Sequence, residues 1–541
     1  MLRGFDAVKT QNSQLQSDLR QLKRTVGFAL GIRDVLREQV TVKEAEEEIK
    51  KRIGNRAERF LELVRARIYG QPASPYRRLL KFAGCEYADL CNSVRRDGLE
   101  ATLSRLASEG VYLTVGEYKG KQEVVRGGES FRVVPADLIQ VEGAGYAKQT
   151  SGTRNAPVRN IMTAARLTER AFEENIFFAA HNLFSYAHAV YDGILPAGGG
   201  LNYLLGYAKV GVPVDRWFAR KVPVNSRLEG WYHYLMTYLI VLMAKRYARA
   251  FPSPEFTDVA DIGRIVDWVL AKNRDGKACY INTAASNAIK IARVAWERGV
   301  SLEGTKFRVR SEPFTEAKRD VIERVGASAI PTYGSADAGK VGLGCANPLH
   351  TDDVHALQYR LALVYQSGAA NGETPVQPLL FTTLDPGDTR LFLNVDIGDY
   401  AMMETRDCGC ALDKVGLKLH LHHIRSHEKF TSEGMNYFYG DLFELFESVL
   451  PAQFGGGPGD YQLVEEEDGQ GQTRLSLIVH PAIGELDEEK LLRHLGQALE
   501  QGSRNHRFMT KLWQDAGTFR ILRKVPSGTG RGKILPLHIS R

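Results

Sequence analysis

Apolar residues recur at helical spacing through the first part of the chain, with charges of both signs between them. The segments LQSDLRQLKRTVGFALGIRDVLREQ and VKEAEEEIKKRIGNRAERFLELVRARI show the pattern most clearly. They predict a helical extension over residues 1–100 whose apolar face packs on the rest of the protein. A coiled coil or a partner-binding arm is the alternative that the same spacing allows. Further on, GLEATLSRLASEGVYLTVGEYKGK predicts a helix, a Gly stop and a short strand.

Between residues 101 and 426, short β-type runs alternate with amphipathic helical segments. The strand-like runs include KACYINT, KFRVRSE, ASAIPTY, LALVYQ and PLLFTTL, and the helical segments include ASNAIKIARVAWERG and TEAKRDVIERVG. Such alternation is typical of an α/β body. Residues 427–541 combine helices, the Gly-rich loop FGGGPGD and strands such as TRLSLIVHP. That combination predicts a separate small α+β domain.

Composition narrows the class of protein. The 541 residues are 43% hydrophobic and 25% charged, which is ordinary for a globular chain of several domains. A net charge of +7 is small for this length and predicts no nucleic-acid partner. The longest apolar run, YLMTYLIVLMA, is too short to span a bilayer. With six cysteines and no signal-like start, the sequence predicts a reduced, cytoplasmic protein without a membrane span.

The stretch TSGTRN has, in its first half, the composition of a phosphate-binding loop. Backbone N–H groups around Gly152 and the hydroxyls of Ser151 and Thr153 suit anionic oxygens. It is not a Walker loop, because no Gly-Lys-Ser/Thr follows. Arg154 and Asn155 stand where more small residues would be expected. The loop alone therefore fits a nucleotide site or a polar surface turn.

Further stretches carry residues suited to nucleotide chemistry. In YGSADAG, the Tyr333 ring could lie against a base, and Asp337 could hold Mg²⁺ through carboxylate oxygen. In LNVDIGDYA, Asp399 ends a strand and could accept hydrogen bonds from ribose hydroxyls. IRSHEKFTSEGMNYF follows, and GTGRGK places Lys533 in a Gly-rich loop near the end of the chain.

In this order, the stretches resemble the adenylate-forming ligases, and within them the phenylacetate–coenzyme A ligase branch. The likeness covers roughly residues 100–541 and is most specific at SEPFTEAKRDVIERVG, YGSADAG and GMNYF, with Arg425 nine residues ahead of Gly434. It implies a large α/β adenylate-forming domain over residues 101–426 and a small mobile domain over 427–541. It also implies ATP-dependent activation of a carboxylic acid as an acyl-adenylate, followed by transfer to a thiol.

The resemblance implies a role for each matching residue. The ATP phosphates would be contacted by Ser151, Gly152, Thr153 and Arg154, the adenosine by Tyr333, Gly334 and Asp399, and the magnesium ion by Asp337. The catalytic steps would use Asp337, Arg425 at the domain junction, and Lys533 between the substrate carboxylate and the α-phosphate. His427 would be the hinge, and Gly434 would approach the thiol channel after rotation of the small domain.

The sequence departs from the family pattern at two motifs. Arg154-Asn155 replaces the usual Thr-Gly pair of the loop, and Ala336-Asp337 replaces a hydroxyl residue followed by Glu. Fold and nucleotide binding are expected to survive these changes, whereas rapid turnover is the property they affect. A nucleotide- or acyl-adenylate-binding homologue with impaired catalysis is therefore the alternative to an active ligase.

A group of cysteines and histidines predicts a structural zinc site, which needs four tetrahedral ligands. Cys408 and Cys410 are one residue apart, and Cys345 is followed by His350 and His355. Some members of the same branch carry such a site, and the resemblance matches it to Cys345, His355, Cys408 and Cys410. His355 is preferred to His350 because it immediately precedes the run LQYRLALVY, and both stay candidates.

The ligands expected from the resemblance are ATP, Mg²⁺, coenzyme A and a small-molecule carboxylic acid, with structural Zn²⁺. An acyl carrier protein in place of coenzyme A, and a homodimer, stay open. The sequence does not name the acid. Aromatic and small residues in FFAAHNLFSYAHAVYDG and INTAASNAIK suit an aromatic or medium-sized apolar acid, and they suit a hydrophobic core equally well.

Overall fold

The fold is described from a computed structural model of the chain. The described residues are 21–139, 144–149, 159–220, 227–258, 261–335, 337–366, 377–426, 430–432, 435–437, 439–467, 473–500, 519–528, 534 and 536–540. Among them, no helix combines the length and the apolar character needed to cross a membrane.

Helices are distributed over the whole described chain. Residues 21–30 are helical, and the α-helices that follow are Ile32–Arg37, Val42–Gly54, Arg56–Val64, Pro75–Phe82, Tyr87–Asp97, Leu99–Ser108, Val115–Tyr118, Ala164–Ala180, Gly199–Lys209, Arg227–Tyr247, Gly263–Arg274, Ala285–Glu297, Glu316–Glu323, Ala411–Lys414, Tyr439–Glu444, Leu450–Phe454 and Glu488–Glu500. Two π-helical turns, Arg65–Tyr69 and Leu445–Val449, and two 3₁₀ turns, Pro135–Leu138 and Pro481–Ile483, complete the helical segments.

The strands are numbered in chain order. They are β1 Glu123–Arg126, β2 Glu129–Arg132, β3 Gly145–Gln149, β4 Arg159–Thr163, β5 Ala187–Tyr191, β6 Arg216–Ala219, β7 Pro254–Phe256, β8 Cys279–Ala284, β9 Lys306–Arg310, β10 Ser328–Ser335, β11 Gly339–Gly344, β12 Val354–Ala356, β13 Leu361–Tyr365, β14 Leu379–Thr383, β15 Val395–Asp396, β16 Asp399–Thr405, β17 Leu419–Ser426, β18 Phe430–Ser432, β19 Met435–Tyr437, β20 Tyr461–Glu467, β21 Thr473–Val479, β22 Phe519–Arg523 and β23 Leu537–Ser540.

A ten-stranded sheet in the order β16-β17-β12-β11-β10-β9-β8-β5-β6-β7 forms the centre of the molecule. The pairs from β7 to β10 are parallel, and those from β10 to β16 are antiparallel. β5 and β8 are buried at every residue, as expected for parallel strands covered by helices on both faces. The α/β fold class predicted from the sequence is confirmed.

The N-terminal helices contribute directly to the core beside this sheet. Phe28, Ile32 and Leu36 lie in one apolar cluster with residues of the Ala164–Ala180 helix, including Phe177. Val42–Gly54 begins with a capping box, in which the Thr41 hydroxyl accepts from the Glu44 N–H while the Glu44 carboxylate accepts from the Thr41 N–H. The apolar face of the N-terminal segment therefore packs on the body, as its helical periodicity predicted.

A smaller sheet, in the order β22-β21-β20-β23, occupies the C-terminal part of the chain. Its apolar face and the nearby helices form a separate core that includes Leu442, Phe446, Leu463, Leu477 and Leu491. Such a core fits the proposal that residues 427–541 are a domain of their own.

Two ion pairs connect this C-terminal part to the body. Arg293, on the helix Ala285–Glu297, binds both carboxylate oxygens of Asp460 at 2.6 and 3.0 Å. Lys318 lies 2.6 Å from Glu447, and both side chains are buried. Charged contacts of this kind orient the two parts in the described arrangement.

Candidate functional site

The carboxyl edge of the parallel strands gathers several motif residues. The register aligns Ala284 at the end of β8, Arg310 at the end of β9 and Thr332 in β10, which continues to Ser335. In open α/β sheets, ligands bind at this edge. Glu312, just after β9, and the turn from β10 to β11 therefore lie where a ligand is expected.

Tyr333 and Asp399 meet in the structure although they belong to different motifs. The Tyr333 hydroxyl donates a hydrogen bond to Asp399 Oδ2 at 2.7 Å. β10 and β16 are separated by three strands in the sheet order, so the antiparallel half of the sheet curls back to bring them together. Burial, and then the charge of Asp399, raises the pKa of Tyr333 well above its usual value, which keeps the phenol protonated.

Arg425 lies on β17, the strand that pairs with β16, and is held by an aspartate that the sequence interpretation missed. Asp399 pairs with Ser426, and Tyr400 with Arg425, across β16 and β17. The Arg425 guanidinium donates to Asp352 Oδ2 at 2.9 Å. Asp352 also accepts the backbone N–H groups of residues 423 and 424, each at 2.9 Å. Asp352 therefore holds both the Arg425 side chain and the backbone beside it, and the catalytic role of Arg425 stays a prediction.

The turn that carries Gly334 and Asp337 is tightly built. A Cβ at Gly334 would lie 2.8 Å from the Gly339 carbonyl oxygen, so the close approach of β10 and β11 requires glycine there. Asp337 Oδ1 lies 2.8 Å from Arg390 Nη1 and accepts from the Tyr118 hydroxyl at 3.3 Å. The predicted magnesium ligand is therefore paired with a buried arginine, and a metal ion would compete with Arg390 for that oxygen.

A buried network of charges lies behind the same turn. Glu174 is fully buried and contacts Arg308 Nη1 at 2.5 Å and Lys340 Nζ at 2.7 Å. Glu173 contacts the same Lys340 Nζ at 2.9 Å and Arg360 Nη1 at 3.1 Å. Lys340 pairs with Gly334 in the ladder of β10 and β11, so the network positions the strand that continues from the motif turn.

Residues of the C-terminal part border a cleft at the carboxyl edge. The cleft is lined by Ser286, Ile289, Lys290, Arg293, Glu312, Lys318, Glu447, Pro458, Gly459 and Ile534. Burial, and then the neighbouring charge of Arg220, lowers the pKa of Lys290 to about 8. Ile534 follows Lys533 in the chain, and its backbone forms a bridge with Gly528 on the other side of the GTGRGK loop.

Several predicted site residues lie outside the described residues. They are Ser151, Gly152, Thr153, Arg154, Asn155, Ala336, His427, Gly434 and Lys533. The strands on either side of the TSGTRN stretch, β3 and β4, pair antiparallel with Gln149 opposite Arg159. The roles of these residues stay predictions.

The four predicted zinc ligands converge. His355 Nε2 lies 3.2 Å from Cys410 Sγ and 3.5 Å from Cys408 Sγ, and Cys345 Sγ lies 3.6 Å from Cys408 Sγ. His355 Nδ1 contacts the Leu417 carbonyl oxygen at 2.5 Å, which orients the ring with Nε2 toward the thiols.

The protonation of these thiols is shared. Hydrogen bonding from Cys345, with further help from His355, lowers the pKa of Cys410 to about 2. The same contact with Cys410, followed by burial, raises the pKa of Cys345. The close contacts among these thiols and His355 thus favour the thiolate form at Cys410.

His420 is a further member of this group that the sequence interpretation missed. It belongs with Cys345, His355 and Cys408 to a set whose ligand atoms all lie within 4.8 Å of one another. Its Nδ1 lies 2.7 Å from Asp353 Oδ1, and its buried Nε2 has no hydrogen-bond partner among the described residues. The signal was available only as an alternating histidine in the strand KLHLHH, which is a weak pattern.

His350, the less favoured candidate for the zinc ligand, belongs to a different group. Its ring stacks on His422 with centroids 3.9 Å apart and lies 5.1 Å from the ring of His423. The three histidines form a second set whose ring nitrogens lie within 4.8 Å of one another.

The aromatic residues that could have lined an acyl pocket are largely core residues. Phe177, Phe178, Tyr191 and Tyr280 are each fully buried, and the Phe178 and Tyr280 rings pack edge to face at 5.7 Å. These residues therefore do not identify the acid.

Comparisons with known proteins found structural similarities alone. No protein-family model matches the chain, and no curated protein matches it. A 2-hydroxyisobutyryl-CoA ligase in complex with 2-HIB-AMP and CoA aligns over 93% of this chain and 92% of its own, at 15% identity and a TM-score of 0.44. The amide bond synthetase McbA from Marinactinospora thermotolerans aligns over 94% and 97%, at 11% identity and a TM-score of 0.39. Alignments at these values support no conclusion about the activity of this chain.

Proposed function

We propose that this chain is an adenylate-forming ligase that activates a carboxylic acid with ATP and transfers the acyl group to a thiol. The observation that carries the proposal is the 2.7 Å hydrogen bond between Tyr333 and Asp399; Arg425 lies on the strand that pairs with the one carrying Asp399. The resemblance assigned these residues to one nucleotide site. The direct contact of Tyr333 with Asp399, two residues from distant motifs, supports the proposal.

The adenosine would be held by the Tyr333–Asp399 pair. A carboxylate has two oxygens and can accept from both ribose hydroxyls while one oxygen also accepts from Tyr333. The tyrosine ring would lie beside the base. Arg425 supplies a guanidinium, the group best suited to bind an anionic phosphate oxygen through two N–H donors.

The proposed reaction has two steps. A carboxylate oxygen of the acid attacks the α-phosphorus of ATP, and pyrophosphate leaves. The thiol then releases its proton to water, its sulfur attacks the acyl carbonyl carbon, and AMP leaves. Lys533 would neutralise charge that develops on the α-phosphate in the first step. Rotation of residues 427–541 would withdraw it before the second.

The two metal ions of the proposal differ in how well the described residues suit them. Three thiols and an imidazole nitrogen converge between Cys345 and Cys410, the donor set that structural zinc prefers. Zinc would cross-link the strand and loop segments that supply these ligands. Asp337, by contrast, is engaged with Arg390, so we assign no step to a magnesium ion bound there.

Coenzyme A is the thiol we propose, and an acyl carrier protein is the alternative acceptor. The alternative to an active ligase is a homologue that binds the nucleotide but has impaired catalysis. Acid-dependent exchange of labelled pyrophosphate into ATP, measured with a panel of aromatic and aliphatic acids, tests the first step without any thiol. Exchange with at least one acid supports the ligase. Tight ATP binding with no exchange for any acid would favour the impaired homologue.

A pair of substitutions tests the nucleotide site. Asp399→Asn should weaken ATP binding about 10-fold or more, because a hydrogen bond to a charged group contributes about 1.5–3 kcal/mol. Tyr365→Phe is the matched control, since the Tyr365 hydroxyl donates to the Ala401 carbonyl and accepts from the Met403 N–H of the same strand, β16. Calorimetric titration with ATP would measure both. Equal weakening by the two variants would mean that Asp399 acts only through the strand.

A second pair of substitutions tests the zinc site. Cys408→Ser should lose the zinc equivalent held by the cysteine group and lower the melting temperature by about 5 °C or more, because metal binding contributes to folding. Cys91→Ser, a buried cysteine on the helix Tyr87–Asp97, should keep the metal. Elemental analysis of the purified proteins decides. Wild-type protein without metal, or Cys408→Ser with a full complement, would contradict the proposal.

A further inference from the structure

The strand β17 carries a local distortion that aims two adjacent histidines at the same point. Side chains of neighbouring residues in a regular strand face opposite sides of the sheet. Here the ladder with β16 shifts register: Met402 pairs with His422, and the next pair is Tyr400 with Arg425. His423 also has a φ of +52°, in the left-handed region that few non-glycine residues adopt. The rings of His422 and His423 consequently meet, with their Nδ1 atoms 2.6 Å apart.

The distortion is held in place by an aspartate from another segment. Both carboxylate oxygens of Asp352 accept backbone N–H groups at the bulge, Oδ1 from His423 and Oδ2 from Ile424. Bulges and left-handed residues that surrounding groups support in this way concentrate at functional sites. The two imidazoles are therefore arranged by the backbone rather than by chance contact of surface side chains.

His350 completes the group from a third direction. It lies in the loop between β11 and β12, and its ring stacks on His422 at 3.9 Å with an angle of 19° between the planes. His422 is only 9% exposed, whereas His423 is solvent-exposed. One side of the group is therefore buried and the other is open to water.

We propose that His350, His422 and His423 bind a divalent transition-metal ion at a second site, distinct from the cysteine-containing group. Imidazole nitrogens suit zinc, copper, nickel and iron. Three of them with one open position form the ligand set of zinc sites that keep a bound water. Metal–nitrogen bonds of about 2.0–2.1 Å at tetrahedral angles place ligand nitrogens about 3.3 Å apart, so the His422 and His423 rings must separate by less than about 1 Å. Because the nitrogen lone pair lies in the plane of the imidazole, the His350 ring must also turn out of its stack on His422 to reach the same ion.

The chemistry separates the two sites. The first contains thiols and a buried imidazole, and the second contains only imidazoles and faces solvent. Cobalt(II) bound to a thiolate gives charge-transfer absorption that cobalt bound to imidazole alone does not. Full-length protein stripped of metal and reloaded with Zn²⁺ or Co²⁺ therefore reports the sites independently.

The stoichiometry of the reloaded protein is the test. Wild type should bind two equivalents of zinc. The double variant His422→Phe/His423→Asn should bind one and keep the thiolate-to-cobalt absorption. Asparagine tolerates the left-handed conformation and phenylalanine keeps the stacking, so the fold should persist. Cys408→Ser should also bind one equivalent but lose that absorption. His350→Phe changes a loop residue and tests the second site independently of β17. It should weaken the affinity for the second zinc equivalent by about 10-fold or more.

Each outcome decides. The second site is overturned if the wild type binds a single equivalent of zinc and only Cys408→Ser loses it. It is also overturned if the double variant still binds two equivalents. A single equivalent that survives Cys408→Ser and disappears in the histidine variants would support the second site while contradicting the proposed zinc at the cysteines. If the double variant fails to fold, unchanged metal affinity in His350→Phe overturns the proposal.

Discussion

We expect Lys533→Ala to slow acid-dependent ATP–pyrophosphate exchange by about 10²-fold or more, equivalent to roughly 3 kcal/mol of activation barrier. The resemblance places this lysine in the Gly-rich loop GTGRGK near the end of the chain. In the described structure, Ile534 beside it lines the cleft at the carboxyl edge of the parallel strands. A lysine that neutralises charge only in the transition state of adenylation should not affect other steps.

Thioester formation and ATP binding are the steps that Lys533→Ala should leave unaffected, in contrast to adenylation. Thioester formation from a supplied acyl-adenylate should be nearly unchanged in Lys533→Ala, and so should the affinity for ATP. Lys490→Ala, on the exposed start of the helix Glu488–Glu500, is the matched control and should leave exchange intact. Equal loss in both half-reactions would indicate a misfolded C-terminal part instead of a missing catalytic charge.

Glu174→Gln should destabilise the protein by about 3–5 kcal/mol, because removing one partner of a buried ion pair leaves the other charges uncompensated. Glu174 is fully buried, and its two oxygens bind Lys340 and Arg308, with Arg170 4.0 Å away. Glutamine preserves the shape and removes the negative charge. Chemical denaturation followed by circular dichroism would measure the loss. Glu255→Gln, whose partner Arg216 is half exposed at 2.7 Å, should change stability by less than about 1 kcal/mol.

The same cluster gives this prediction a pH dependence. Burial alone would raise the pKa of Glu174, but Arg308, Lys340 and Arg170 outweigh burial and lower it below the usual 4.5. The adjacent Glu173 is lowered to about 2 in the same way, with Lys340 and Arg360 as the main partners. A carboxylate with a lowered folded-state pKa contributes stability above its unfolded pKa, and that stability is lost as the pH falls. The difference between wild type and Glu174→Gln should therefore shrink below pH 4.5. A difference that stays constant into acid would mean that the charge is not what the substitution removes.

Elements with strong local periodicity were predicted well from the sequence. KACYINT corresponds to β8, and ASNAIKIARVAWERG corresponds to the helix Ala285–Glu297. Both were predictable because the apolar positions in each stretch match the residues that the fold buries. The expected strand in GVYLTVGEYKG is wrong. Leu113 makes a single bridge with Val395, and Val115–Tyr118 is a helical turn that Thr114 and Glu117 cap reciprocally. A capping box four residues long outweighs a brief β-type run.

The sequence predicted residues of the candidate site only where they belong to short recognisable motifs. Tyr333 and Asp399 were assigned through the resemblance, and no spacing rule would have shown that a sheet curls to join them. Their supporting residues escaped prediction because they are distant in the chain. Arg390 reaches Asp337 from 53 positions away, and Glu174 reaches Lys340 across 166 residues. Charge pairs of this separation leave no local pattern.

Asp352 has a consequence for how an anion would be recognised. By accepting two backbone N–H groups at the bulge and the Arg425 guanidinium, its carboxylate fixes the backbone and the side chain of the same segment together. A free arginine loses rotamer entropy when it engages a ligand, about 0.5–1.5 kcal/mol for a long side chain. In Arg425 that loss is already incurred during folding. If Arg425 binds a phosphate as we propose, that phosphate would meet a preorganised guanidinium, and the selectivity of the site would come from the geometry of the bulge as much as from the charge it presents.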